Sequence, residues 1–177
     1  MLHKSVYQAL NQQIQIEADS SAIYLAMASW CHKEGLAGCA QFFYTQSDEE
    51  RMHMLKLVHY VNGMDEHAII AGQTAPKTAY SSIQDIFRLV YEQEQKVTNS
   101  IYQVMNICND HQDHATIHFL QWYVVEQREE ETKIRDILDK IRLIGKGEQS
   151  LYYIDREIEK INKKYMTAEA DATAIKD

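Results

Sequence analysis

Asp48-Glu49-Glu50-Arg51-Met52-His53-Met54 sets a carboxylate and an imidazole three residues apart, at Glu50 and His53. On a helix that spacing puts both on one face. Glu17 stands 33 residues before Glu50, and the same interval of 33 separates Glu94 from Gln127, which Glu130 follows three residues on. Each triplet therefore reads as one polar group from one helix and an i, i+3 pair from the next. Four helices turning these six residues toward a common point describe a carboxylate metal site inside a helix bundle.

The residues around them repeat as core. Ile83, Phe87, Val90, Val97, Ile101, Val104 and Cys108 form a stripe at helical spacing in which Glu94 is the sole charged member. Leu10, Ile14, Ser21, Tyr24, Ala28 and Cys31 flank Glu17, and Phe43, Ser47, Met54, Leu57 and Val61 flank Glu50. Around Gln127 the stripe is Ile117, Leu120, Val124, Ile134 and Ile141. Each polar residue falls near the middle of its stripe, so four helices with level midpoints bring them to one height. None of these stripes offers a lysine or arginine. Burying bare carboxylates costs several kcal/mol each, so cations are expected to neutralise them. Oxygen-rich ligation with one imidazole favours iron or manganese over thiolate-seeking metals.

Glycine and proline mark the links. The six glycines lie at Gly35 and Gly38, Gly63 and Gly72, and Gly145 and Gly147, and the only proline is Pro76. This predicts helices α1 over 5–33, α2 over 38–62, α3 over 82–109, α4 over 113–143 and a short α5 over 148–164. Residues 1–164 form one domain on this reading, and 165–177 a frayed tail. The first and third links are short and predict antiparallel hairpins. The stretch 64–81 could reach roughly 60 Å if extended, against roughly 40 Å for a helix of about 26 residues, so it can return along the bundle and make α2 and α3 parallel. The apolar stripe Leu151, Ile154, Ile158 and Ile161 on α5 falls outside the four helices, and burial against other subunits is expected for it.

Composition narrows the function. A chain of 177 residues with 45% hydrophobic content makes one domain with a sizeable core. A formal net charge of -8 argues against nucleic acid as a partner and suits the handling of cations. Cys31, Cys39 and Cys108 are odd in number and widely spaced, which predicts reduced core residues in a cytoplasmic protein. Met1-Leu2-His3-Lys4 leads into an amphipathic pattern without an apolar signal core, and no run approaches 18 apolar residues, so neither secretion nor a membrane partner is expected.

The segments Asp48 to Met54, Phe119-Leu120-Gln121-Trp122-Tyr123-Val124-Val125-Glu126-Gln127-Arg128-Glu129-Glu130-Glu131 and Leu151-Tyr152-Tyr153-Ile154-Asp155 resemble bacterial non-haem ferritins, a likeness that covers residues 1–163. It implies an all-α, ferritin-like, up-down-down-up four-helix bundle with a long α2 to α3 crossover and a short fifth C-terminal helix. By resemblance, Glu17, Glu50 and His53 hold a first iron, and Glu50, Glu94 and Glu130 a second. Glu50 would bridge them, with Gln127 a weak or outer partner. The pair would be oxidised from Fe(II) by dioxygen or hydrogen peroxide, with Tyr24 supplying a hydrogen bond or an electron. A third iron would sit at Glu49, Glu126, Glu129 and Glu130. The resemblance further implies a homo-oligomeric cage of 24 subunits that stores Fe(III) mineral, with α5 lining a fourfold axis.

Three positions separate the chain from neighbouring families. Gln127 and Glu130 stand where rubrerythrin-like enzymes and bacterioferritins carry a second Glu-x-x-His, and Arg51 stands where haem-binding bacterioferritins place a methionine, so no haem is expected. Ile117 and Leu120 replace the acidic residues that line the threefold pore of animal ferritins, although Asp113, His114 and His118 lie close by. Two other classes fit the bundle less well. A di-iron oxidase or peroxidase without storage needs a substrate cavity or redox partner, and a metal-free helical interaction protein needs other partners for its glutamates.

Overall fold

The computed structural model describes residues 2–174, with side-chain surroundings as far as Thr167. It comprises α1 (Lys4–Lys33), α2 (Ala37–Gly63), α3 (Ile83–Asp110), α4 (His114–Ile144) and α5 (Ser150–Ala174). There is no strand among the described residues. The first four helices start and stop within one residue of the bounds read from the sequence. Local chemistry explains their sharp starts: Ser82 Oγ accepts from the Asp85 amide at 3.1 Å, and Asp113 Oδ1 from the Thr116 amide at 3.0 Å. The α3 to α4 turn has no glycine, and Gln112 supplies the left-handed residue at φ 54°.

Two apolar clusters define the topology. One joins Ala28 and Cys31 of α1, Cys39 and Phe43 of α2, Phe87 and Val90 of α3, and Ile137 and Ile141 of α4. The other joins Leu10 and Ile14, Leu57 and Val61, Ile101 and Val104, and Leu120 and Tyr123. The C-terminal halves of α1 and α4 thus share one end with the N-terminal halves of α2 and α3. That is the up-down-down-up bundle. Ser21 Oγ donates to the Ser47 carbonyl at 2.7 Å and Ser47 Oγ to the Ser21 carbonyl at 2.8 Å, which fixes the register of α1 on α2.

The crossover has few peptide groups paired within itself, so α1 supplies partners along its length. Tyr7 Oη donates to the His67 carbonyl at 2.6 Å, Asn11 Oδ1 accepts from the Ile69 amide at 2.6 Å, and Asp19 Oδ1 accepts from the Thr74 amide at 2.8 Å. Further on, Tyr80 meets Trp30 edge-on at 5.9 Å. Successive contacts at α1 residues 7, 11, 19 and 30 carry the chain from one end of the bundle to the other.

The fifth helix differs from expectation in length and in place. It continues to Ala174, ten residues past the expected end at 164, because the added stretch holds neither glycine nor proline and is rich in alanine. The expected frayed tail is therefore helical through Ala174, and residues 175–177 lie outside the described residues. Nor does α5 leave the bundle. Ile154 and Ile158, at 0% and 1% exposure, are buried in the chain's own core, while Leu151 remains 50% exposed. Asp155 Oδ1 accepts from the Cys39 amide at 2.8 Å and so caps α2, whose own N-cap residue Leu36 makes no side-chain cap bond. An apolar stripe must be covered, but its residues do not say by what.

Candidate metal centre

Between the two apolar clusters lies a polar belt. Glu17, Glu50, Glu94, Gln127 and Glu130, one or two from each helix, are all buried. Glu17, Glu50 and His53 offer ligand atoms within 4.8 Å of one another, with His53 Nδ1 3.4 Å from Glu50 Oε2 and 4.0 Å from Glu17 Oε2. Glu94 and Glu130 stand outside that tight group and act on Glu50 through their charge. Glu94 is held from two sides: Tyr24 Oη donates to its Oε1, and Gln127 Nε2 donates to its Oε2 at 3.2 Å. Gln127 thus orients a carboxylate with its amide, which leaves its carbonyl oxygen for other work.

The electrostatics show what the belt lacks. Burial first, then the neighbouring Glu50 charge, pushes the Glu17 carboxyl well above the usual carboxylate range. Burial and then Glu94 do the same to Glu50. Glu94 is raised to about 8 by burial and Glu130, against the hydrogen bonds from Tyr24 and Gln127. Glu17 Oε2, Glu50 Oε2, Glu130 Oε2 and His53 Nδ1 are enclosed and satisfy no hydrogen bond. Buried polar atoms without partners cost about 1–3 kcal/mol each, so their convergence is a poor arrangement for a protein alone and a good one around cations.

Three residues of the site were not read from the sequence. Gln13, wholly buried one turn before Glu17, donates to Glu17 Oε1 and accepts from Ser100 Oγ at 2.6 Å, so it clamps the ligand from behind. Its i, i+4 spacing to Glu17 was an available signal. Tyr123 is fully buried beside Glu17, and burial followed by the charges of Glu17 and Glu50 raises its phenol well above its ordinary range. Its ring and that of Trp122, stacked at 4.4 Å, wall His53 at 5.2 and 5.5 Å.

The third is Lys133, and it corrects the expectation that the core has no basic residue. Only 3% exposed, it places Nζ 2.6 Å from Glu130 Oε1 and 3.5 Å from Glu49 Oε2. The stripe on α4 was drawn through Ile134, one residue away, and the Glu130 to Lys133 spacing of i, i+3 was the missed clue. Glu49 and Glu126 are partly buried on this flank and Glu129 is exposed. Burial raises the Glu126 carboxyl, with His53 and Lys133 pulling it down and Glu130 pushing it up. Elsewhere the three thiols are buried and free, with Cys31 raised to about 12 and Cys108 to about 11 chiefly by burial, as expected of inert core residues.

Comparison with known proteins agrees with this architecture. A family model described as a ferritin-like domain matches residues 7–144. A bacterial non-heme ferritin of Campylobacter jejuni is 40% identical over 161 residues, covering 91% of this chain and 96% of that protein. A bacterial non-heme ferritin of Staphylococcus saprophyticus is 38% identical over 158 residues, covering 89% and 95%. Among solved structures, an open pore ferritin from Archaeoglobus fulgidus superposes with a TM-score of 0.87 at 35% identity, covering 90% of this chain and 98% of that one.

Proposed function

Because the chain belongs to the ferritin family, we propose that it stores iron and oxidises it first, taking two Fe(II) ions as substrate at the belt between its apolar clusters. Glu17, Glu50 and His53 would hold one ion and Glu50, Glu94 and Glu130 the other, with Glu50 shared. The observation that carries this reading is the set of enclosed ligand atoms on Glu17, Glu50, Glu130 and His53 that make no hydrogen bond. Each Fe(II) gives up one electron, and the two together, with two protons from solvent, reduce dioxygen to hydrogen peroxide, or one peroxide to two waters.

The chain's own groups would manage protons and geometry. Glu17, Glu50 and Glu94 favour their protonated forms in the metal-free fold, so binding iron displaces protons into solvent. Tyr24 keeps its phenol proton, since burial and Glu94 raise it well above its ordinary value, and donates it to Glu94. Gln127 holds the other oxygen of the same carboxylate. Oxidised ions would leave past Glu49, Glu126 and Glu129, the third position, toward a mineral. Storage needs an enclosed volume that one bundle lacks, so we infer a homo-oligomeric shell, 24 subunits by family likeness, in the cytoplasm. No described helix is long and apolar enough to cross a membrane.

The decisive experiment adds Fe(II) aerobically and counts iron retained per particle after size exclusion. Hundreds of ions on a high-mass particle support storage. Retention limited to the two ions of each subunit would instead favour an oxidase without storage.

A further inference from the structure

We infer that Lys133 is a built-in competitor for the third cation, one that makes the position at Glu49, Glu126, Glu129 and Glu130 a place of passage instead of residence. The inference rests on the two-iron reading above and concerns the flank beside it. An ion held by Glu49 and Glu130 would sit about 2 Å from an oxygen of each, as carboxylate-bound first-row metals do. The Lys133 ammonium already lies 2.6 Å from Glu130 Oε1 and 3.5 Å from Glu49 Oε2. Two cations cannot share that gap. Metal there must break a buried, charge-assisted hydrogen bond, the kind of loss that corresponds to about ten- to a hundredfold in affinity.

The displaced ammonium keeps a partner it already has. The ring of Tyr165, brought over this flank by α5, has its centroid 5.0 Å from Lys133 Nζ, within the range of a cation–π contact. A shift of the flexible stem further onto that ring would open the Glu49 to Glu130 gap while the charge keeps this contact. Gln46 Nε2 meanwhile donates to Glu49 Oε2, so Glu49 stays oriented when the ammonium leaves. The di-iron pair also keeps Glu130 in use, since only one of its oxygens is engaged by Lys133 and Oε2 is unpaired.

The test counts metal without turnover. Anaerobic titration with Zn(II) or Co(II), read by calorimetry and by metal analysis of the desalted protein, should give two tight ions per wild-type subunit and a third bound about tenfold or more weakly. Lys133→Met keeps the length and apolar stem and should bind three with similar affinity, whereas Lys133→Arg keeps the charge and should stay at two. Two tight ions in Lys133→Met, or three of equal affinity in wild type, would overturn the inference alone. A wild type that binds no metal would overturn the two-iron reading and this inference together. Should Lys133→Met fail to fold, wild-type crystals soaked in rising Zn(II) decide: a third ion beside an unmoved Lys133 refutes competition, and one accompanied by Lys133 turned to Tyr165 supports it.

Discussion

Glu50 is pressed by carboxylates from three directions, with Glu94, Glu130 and Glu49 all raising its proton affinity after burial has done so. A ligand shared by two ions should matter more than one serving a single ion. Glu50→Ala is accordingly expected to abolish rapid paired Fe(II) oxidation, while Glu17→Ala slows it and leaves single-ion binding; stopped-flow absorbance distinguishes them, and a Glu50→Ala protein oxidising at the parent rate would refute the assignment. Glu94 gives a prediction without metal. In the fold it keeps its proton up to about pH 8, whereas an unfolded glutamate loses it near 4.5. Across that window the unfolded chain binds fewer protons, so the metal-free protein loses stability as pH rises from about 4.5 to about 8. Glu94→Gln removes that contribution, and its melting temperature should fall less than that of wild type between those limits. Glu17, Glu50 and Glu94 were legible in the sequence because a charged residue interrupting an apolar stripe is conspicuous, and His53 and Glu130 because each follows a stripe position by three residues. Gln13, Tyr123 and Lys133 were not, since a neutral amide or a phenol on a core face looks like packing, and a lysine beside an isoleucine looks like the solvent side of the helix.

Helix boundaries were legible for a related reason: glycines and the lone proline act locally and are visible one residue at a time, and the caps at Ser82 and Asp113 that the structure adds are just as local. The docking of α5 is not local. It depends on Gly38, where an added Cβ would lie 2.4 Å from the Asp155 carbonyl oxygen and 3.0 Å from Glu159 Cβ, so α2 and α5 approach only because that side chain is missing. Read in one dimension, Gly38 was simply part of a turn. Gly38→Ala should force the two helices apart and disturb the Asp155 cap on Cys39, costing about 1–3 kcal/mol. For a chain of this size that lowers the melting temperature by about 2–4 °C per kcal/mol. Gly63→Ala, at a position with open space around it, is the control and should be neutral or slightly stabilising in the same calorimetric scan.

At the scale of the whole molecule, burying Ile154 and Ile158 inside the subunit moves the candidate assembly surface elsewhere. Leu143 at 71% exposure, with Leu151, Tyr152 and Tyr153 at 50%, 65% and 51%, clusters around the α4 to α5 turn. Grouped apolar exposure of this kind marks a contact surface. Tyr152→Lys with Tyr153→Lys should reduce particle mass by light scattering and impair iron retention, yet leave the first oxidation turnover of each subunit intact; an unchanged particle mass would place the contacts on another face. The same subunit carries a consequence of its divided interior. Its two apolar blocks are separated by a layer of buried acids that hold on to protons when no metal is there. On the two-iron reading, ions in transit also tie the four helices to one another at the waist of the bundle, and each emptying of the centre hands that tie back to protons, so the traffic of cargo sets the stiffness of the wall that contains it.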